Sequence, residues 1–477
     1  MRSSSDDGIR RRAGVLAPLI LLVAVFVSGC ANPGRDRVDA FRGRLAQGDL
    51  AGSLEQVRSS RKLYGDNSEF LYHMDLGVLH HYLGAWDSSI VHLARAEQIA
   101  EDLYTRSVSN EAGALVTNDN LRPYRPRPYE SVVLAQFQLL NYLAKGDLDG
   151  GLVEARRGIL LLDRLRDRDS GDYRDDGALH YLHSLVFQAA RERDNSLISL
   201  RRSLLAYARG KVPMPEEVRE VATLRLRQDG RGKVFEEAGI VPAASEAIAR
   251  RLEEAPSEIV VVTYRGRTPE IGQTRAWGEW VKGGVFAWHW SDPRTGKDYT
   301  DAIPAPPLVG GISGKTLHVN FTLPVLKETE SRASAIRVRV RDTSYVPVPL
   351  NDTRILLGQS LDENHAGTVA RTIVRVATRT IAAQKLKDAV QTGNPLLDLL
   401  ANLGLDFAQG EIEQSDLRQC IWLPREISVA RIPVPAGAHA LAVEATDRSG
   451  NVVGERLFGD LETTPRGKRF AVAAFPY

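Results

Sequence analysis

A chain of 477 residues is too long for one ordinary domain and suggests two or three, at ~100–200 residues each. Its 43% hydrophobic and 26% charged residues exclude wholesale disorder and a polytopic membrane protein, and a net charge of +2 removes the electrostatic argument for a nucleic-acid partner. With Cys30 and Cys420 as the only cysteines, a disulfide framework and a cysteine-rich zinc fold are excluded as well.

The chain opens on a basic stretch, Arg10-Arg11-Arg12, followed by an apolar run of about 14 residues ending at Val27. That run is shorter than the ~20 residues of a membrane span and suits the core of a signal peptide. It closes on Val27-Ser28-Gly29-Cys30, which resembles the lipobox of bacterial lipoproteins. Small residues precede the cut, and a thiol follows it to carry the lipid. The alternative is an ordinary secretory signal with a chance cysteine. The resemblance implies loss of residues 1–29, acylation of Cys30 and a tether over 30–37. More than one acyl chain anchors stably. Ala31, in place of the Asp that retains enteric lipoproteins, points to the periplasmic face of the outer membrane. Cys420 then has no partner within the chain. Its apolar setting, Cys420-Ile421-Trp422-Leu423, predicts a buried, inert thiol.

Residues 38–210 read as paired helices. Leu76, Gly77, Tyr82 and Leu83 precede Gly84-Ala85-Trp86-Asp87, and Ile90, Leu93, Ala94, Ala96 and Ile99 follow at helical spacing. The turn recurs at Gly48-Asp49-Leu50 and Gly146-Asp147-Leu148, and a weaker unit follows at Arg193-Asp194-Asn195-Ser196. The unit resembles a tetratricopeptide repeat, with small Gly77 and Ala96 where its helices approach. It departs at Ser89, where Ala is usual, and lacks the closing Pro. An unrelated helical bundle is the alternative. A repeat stack implies a concave face for protein partners, lined by His73, His80 and His81 in one unit and Gln136, Gln138 and Asn141 in another.

Between the second and third turns, Pro123, Pro126 and Pro128 interrupt helix, and a new helix is expected near Glu130. This phrase, together with Asp416-Leu417-Arg418, Leu423-Pro424 and Pro435-Ala436-Gly437, resembles an uncharacterised family of proteobacterial lipoproteins. That family combines tetratricopeptide-like repeats with a β-rich domain. The resemblance implies no activity or cofactor, only a link to envelope or peptidoglycan assembly.

A helical bridge over 211–255 leads to a change of period. Strands are expected at Glu258–Tyr264, Thr316–Leu323, Ala335–Arg341, Ser428–Ile432, Ala438–Ala445 and Arg469–Ala474. Residues 256–477 therefore read as an antiparallel β-sandwich, and the whole chain as an α+β multidomain protein with an N-terminal tetratricopeptide-like α-solenoid. A helical insertion over 365–410 carries apolar and basic faces, suited to covering a sheet, meeting a partner or lying on lipid.

His80-His81 and His180-x-x-His183 are the close histidine pairs, neither with a third metal ligand, so no metal is expected. Gly310-Gly311-Ile312-Ser313-Gly314-Lys315-Thr316 lacks the first glycine of a phosphate loop. Trp277, Trp280, Trp288 and Trp290 cluster within one segment and suit core packing, a protein interface or a glycan platform. Three readings follow. The first is a non-enzymatic envelope scaffold with protein partners. The second is a peptidoglycan- or glycan-binding module. The third is a hydrolase whose acids would be Glu111, Asp119 and Glu130.

Overall fold

A computed structural model describes residues 33–105, 122–168, 175–281, 285–292, 296–304, 318–362, 369 and 415–477. The fold is mixed helical and β, with antiparallel sheets in the C-terminal region. Helices α1 (Pro33–Gln47) and α2 (Leu50–Ser59) meet at Gly48. Next, α3 (Glu69–Tyr82) and α4 (Trp86–Thr105) meet at Gly84. Then α5 (Pro128–Lys145) and α6 (Leu148–Arg168) meet at Gly146, and α7 (Gly177–Ala189) and α8 (Arg193–Arg209) at Arg191. All four turn residues have positive φ, between 61° and 83°. Glycine adopts this at no steric cost, and Arg191 does so against its own Cβ. Each helix packs on the next in chain order, and α9 (Glu216–Gln228), α10 (Val234–Glu237) and α11 (Ala247–Glu253) extend the layer over the predicted bridge.

Inside the second pair, a Cβ on Gly77 would lie 2.5 Å from Leu93 Cδ2, and Ala96 is fully buried. Ser89 donates to the Gly77 carbonyl at 2.8 Å. Ser196 repeats that bond to the Ser184 carbonyl, also at 2.8 Å. The serine that departs from the repeat pattern thus pins the two helices of its pair. Gly77→Leu should lower unfolding stability by ~1–3 kcal/mol through overpacking. Gly43→Ala, in open space on α1, is the control and should not lower the melting temperature. An unchanged melt for Gly77→Leu would reject this packing.

Among the described residues, twelve strands make three four-stranded sheets. Sheet I is ordered β12-β1-β9-β8, from β1 (Ser257–Arg267), β8 (Val348–Asp352), β9 (Pro424–Val434) and β12 (Lys468–Phe475). Its β1–β12 pair is parallel and its other pairs antiparallel. Sheet II, β11-β10-β6-β7, holds β6 (Ala335–Val340), β7 (Thr343–Tyr345), β10 (Gly437–Thr446) and β11 (Val452–Thr463). Sheet III, β4-β3-β2-β5, holds β2 (Glu270–Val281), β3 (Val285–Ser291), β4 (Asp298–Pro304) and β5 (His318–Lys327). The six expected strands fall in β1, β5, β6, β9, β10 and β12, while β2, β3, β4, β7, β8 and β11 were not among them. Apart from buried Val369, the helical insertion over 365–410 lies outside the described residues.

Sheet I is covered on both faces, which is why β1 reads as an unbroken apolar run. Val260, Val262, Tyr264, Val429 and Phe470 share one core with the helices. Ile259, Val261, Ala430, Ile432 and Ala473 share another with Val338, Val340, Leu441 and Val443 of sheet II. The order of layers is helices, sheet I, sheet II. At ~1.5–3 kcal/mol per buried aliphatic side chain, these two seams are the principal source of cohesion. On the open face of sheet II, Arg337 and Arg339 are exposed and Arg339 pairs with Glu444, as the alternation of β6 predicts.

Two expectations change here. The tether foreseen over 30–37 is shorter, because Pro33 opens α1 and Arg37 is already buried. The repeat face foreseen for partners is occupied by sheet I. Tyr82 of α3 donates to the Trp422 carbonyl at 2.8 Å, and Tyr264 of β1 lies 5.4 Å from His81 and 5.2 Å from Phe137 between ring centroids.

Candidate functional site

Of the six polar residues expected on a partner face, five are buried: His80, His81, Gln136, Gln138 and Asn141. They bond inward. His81 Nδ1 lies 2.7 Å from Asn141 Oδ1, Asn141 Nδ2 donates to Ser89 Oγ at 2.9 Å, and Gln138 Nε2 donates to the Ile90 carbonyl at 3.3 Å. The Asn141 oxygen can only accept, so Nδ1 of His81 carries the proton. Burial lowers the His81 pKa to about 4. This chain of bonds satisfies polar groups where three helices and sheet I meet, so these residues hold the layers together and offer no surface.

His73 is half-buried, its Nδ1 3.2 Å from His92 Nδ1, and its pKa is lowered to about 4 by burial and by His92. His80 stacks on His92 with 5.6 Å between centroids, and Arg58 Nη2 lies 3.1 Å from its Nε2. Burial first, then Arg58, brings His80 to about 4. The three imidazoles are therefore neutral at neutral pH. His92, on α4, escaped the sequence reading because its relation to α3 is tertiary.

The tryptophans divide between the two faces of sheet III. Trp288 is 2% exposed in the core with Phe286 and Phe321. Trp290, on that same face, stacks on Tyr299 at 4.7 Å and donates to Asp301 Oδ2 at 3.2 Å. Trp277 is on the opposite face, 49% exposed and stacked on His289 at 4.1 Å, whose Nδ1 lies 2.8 Å from Thr300 Oγ1. Trp280 occupies β2 opposite Phe286, and its side chain lies outside the described residues. A four-tryptophan platform is not what forms. One exposed indole remains for a sugar face.

Two buried polar centres went unread. In the first, Arg431 of β9 forks onto Glu258 of β1 at 2.6 and 2.9 Å, Lys468 of β12 reaches the same carboxylate, and Arg431 Nη1 lies 3.2 Å from the Tyr181 hydroxyl. Tyr181 in turn donates to Glu217 at 3.1 Å. Burial alone would raise the Glu258 pKa, but Arg431 and Lys468 outweigh it and hold the carboxyl at about 2. This centre clamps α7 and α9 to sheet I.

The second centre is a strap over 415–423. Arg418 is 2% exposed, pairs bidentately with Asp416 and donates to the carbonyls of Asn67 at 3.2 Å and Arg122 at 2.9 Å. Arg37 donates to the Gln419 carbonyl, and Gln419 accepts from Ile271 N at 3.1 Å. Glu130 accepts from Cys420 N at 3.0 Å, from Arg127 N at 2.9 Å and from the Tyr124 hydroxyl at 2.5 Å. The one described candidate acid is thus saturated by structural bonds; Glu111 and Asp119 lie outside the described residues. Burial, then Asp75, pushes the Cys420 thiol well up, as an inert cysteine requires.

His180 sits 2.7 Å from Asp175 Oδ1, and His183 is fully buried, its pKa pushed well down by burial. Among the described residues, no group of three or more His, Cys, Asp or Glu could hold a metal ion. The lipobox Val27-Ser28-Gly29, Cys30 and the glycine phrase 310–316 lie outside the described residues. No protein-family model, curated protein or solved structure matches the chain.

Proposed function

We propose that this protein is a lipid-anchored scaffold of the bacterial cell envelope that binds protein partners and performs no chemistry of its own. Cys30 is its acylation site, and the periplasmic face of the outer membrane is its location. Its helical layer is a tetratricopeptide-like α-solenoid, and sheets I and II form a β-sandwich beneath it. The repeated hairpins, each helix packed on the next, support the first point. The face-to-face packing of the two sheets supports the second.

One observation carries the partner surface. With the first helix of each pair turned to sheet I, the second helices α4, α6 and α8 keep an outer face. Val91, Val153 and Ile198 are 66%, 54% and 44% exposed there. Each stands seven residues beyond its turn residue, Gly84, Gly146 or Arg191. Isolated exposed aliphatics need no explanation, but one at the same place in three successive units makes a ladder. Leu160, 61% exposed on α6, widens it. Near-neutral net charge fits capture by shape and apolar contact over long-range attraction.

Crosslinking in intact cells tests the reading. Replacing Val91, Val153 and Ile198 together by Asp should remove the crosslinked partner while the melting temperature stays near the parent value. Cys30→Ala should abolish incorporation of labelled fatty acid. Unchanged crosslinking in the triple variant would discard the ladder. Turnover of peptidoglycan or peptide by the purified protein would discard the non-enzymatic reading. Retention on purified sacculi, lost with Trp277→Ala, would transfer the assignment to a glycan-binding module.

A further inference from the structure

The distance from the anchor to the folded body is set by α1. This helix opens at Pro33, three positions after Cys30. A Cβ on Gly34 would sit 2.6 Å from the Leu417 carbonyl carbon and from Arg418 N, so the chain is wedged against the strap from that residue onward. Arg37, 1% exposed, and Phe41, fully buried beside Trp422, continue the attachment. Four residue steps therefore separate Cys30 from the first fixed backbone, about 14 Å at ~3.5 Å per step.

We infer that the end of the molecule around the N-terminus of α1 is apposed to a bilayer, its partner being the phosphate headgroup layer of the membrane that holds acylated Cys30. The inference rests on the anchor reading above and adds an orientation to it. The face is defined by what borders Gly34. Arg418 holds the Arg122 carbonyl at 2.9 Å, so the stretch from Arg122 to Arg125 lies beside the strap. The Arg35 side chain is 67% exposed, and Arg125 is exposed too. Both guanidinium groups lie within reach of anionic headgroups, alongside Asp36 and Asp39. The strap runs into Pro424, which pairs with Arg267 at one end of sheet I. The other end, where Ser257 pairs with Val434, is ten residues along β1, about 33 Å away at ~3.3 Å per residue. Exposed Glu462 stands there, next to Thr463, which Ser257 contacts at 3.2 Å. With so short a lead, the body cannot turn that end to the membrane without pulling α1 out of the core.

The test uses the full acylated protein in phosphatidylethanolamine–phosphatidylglycerol vesicles carrying a nitroxide lipid. Fluorophores are placed singly through Arg35→Cys and Glu462→Cys, and acylation of Cys30 is checked by mass on the same samples. Quenching should be several-fold stronger at position 35 than at 462. A glycine-serine extension inserted between Asn32 and Pro33 should erase that contrast with acylation intact. Equal quenching in the unextended, acylated protein would overturn the apposed face. A contrast that survives the extension would overturn the short lead as its cause. Absence of the acyl mass would overturn the anchor reading itself, and with it this orientation.

Discussion

Arg431→Ala should lower unfolding stability by about 3–5 kcal/mol, enough to bring many domains to the edge of unfolding at room temperature. The substitution leaves Glu258, with its side chain 3% exposed, facing Lys468 alone and takes a partner from the Tyr181 hydroxyl. The cost is that of a stranded buried charge, not the net worth of the pair, so Glu258→Gln/Arg431→Met should lose less than Arg431→Ala does. The pH dependence has a definite sign. The folded Glu258 carboxyl, at about 2, lies below its ordinary value of 4.5. Its contribution is therefore complete above about pH 4.5 and disappears as pH falls towards 2. Urea titrations of parent and variant should converge across that window. A loss below ~1 kcal/mol at neutral pH would show that the clamp between helices and sheet is not energetically central.

Arg418→Ala should be damaging as well, at about 1–3 kcal/mol, the cost of polar groups that lose a buried donor. It leaves the half-buried Asp416 carboxylate with only the backbone N–H of residue 418, removes one donor from the Asn67 carbonyl, which keeps Tyr124 N, and takes away the guanidinium bond to the Arg122 carbonyl. Arg418→Lys should not rescue it, because a point ammonium cannot supply the planar fork that Asp416 and both carbonyls share. The damage should also be local. Hydrogen exchange should speed up along 415–423 and in α1 first, while Val338 and Val443 between the sheets keep their protection. Uniform loss of protection would mean that the strap has no independent role.

How much of this was legible depended on whether the signal was local. The turns at Gly48, Gly84 and Gly146 were readable because a left-handed residue favours glycine, and Arg191 was harder for the same reason. The strand at Ser257–Arg267 announced itself by an apolar run, a consequence of burial on both faces. The strand at Glu270–Val281 did not, since Gly278 and three charges interrupt it. Gly278 is there because a Cβ would lie 2.3 Å from Phe286 Cζ, a contact invisible in one dimension. The misread site has a common cause. A polar residue at helical spacing looks the same whether it faces water or a buried acceptor, and only the fold pairs His81 with Asn141. Arg431 likewise sits where alternation promises a wet side, but its carboxylate partner is 173 residues away.

Sheet I, which covers the first helices of the array, has a consequence for biogenesis. Its strands come from residues 257–267, 348–352, 424–434 and 468–475, and the Lys468–Glu258 contact alone spans 210 positions. A chain emerging from its N-terminus first has completed the hairpins from α1 to α8 before any cover for them exists. The apolar flanks of α3, α5 and α7 then wait in solvent until the final strand arrives beside the first. Such distant pairings fold slowly and leave sticky surface open meanwhile. Release of the nascent chain before β12 has appeared should therefore yield a species that needs a holding chaperone. A truncation that keeps residues up to 467 but removes β12 should aggregate, not persist as a soluble helical domain.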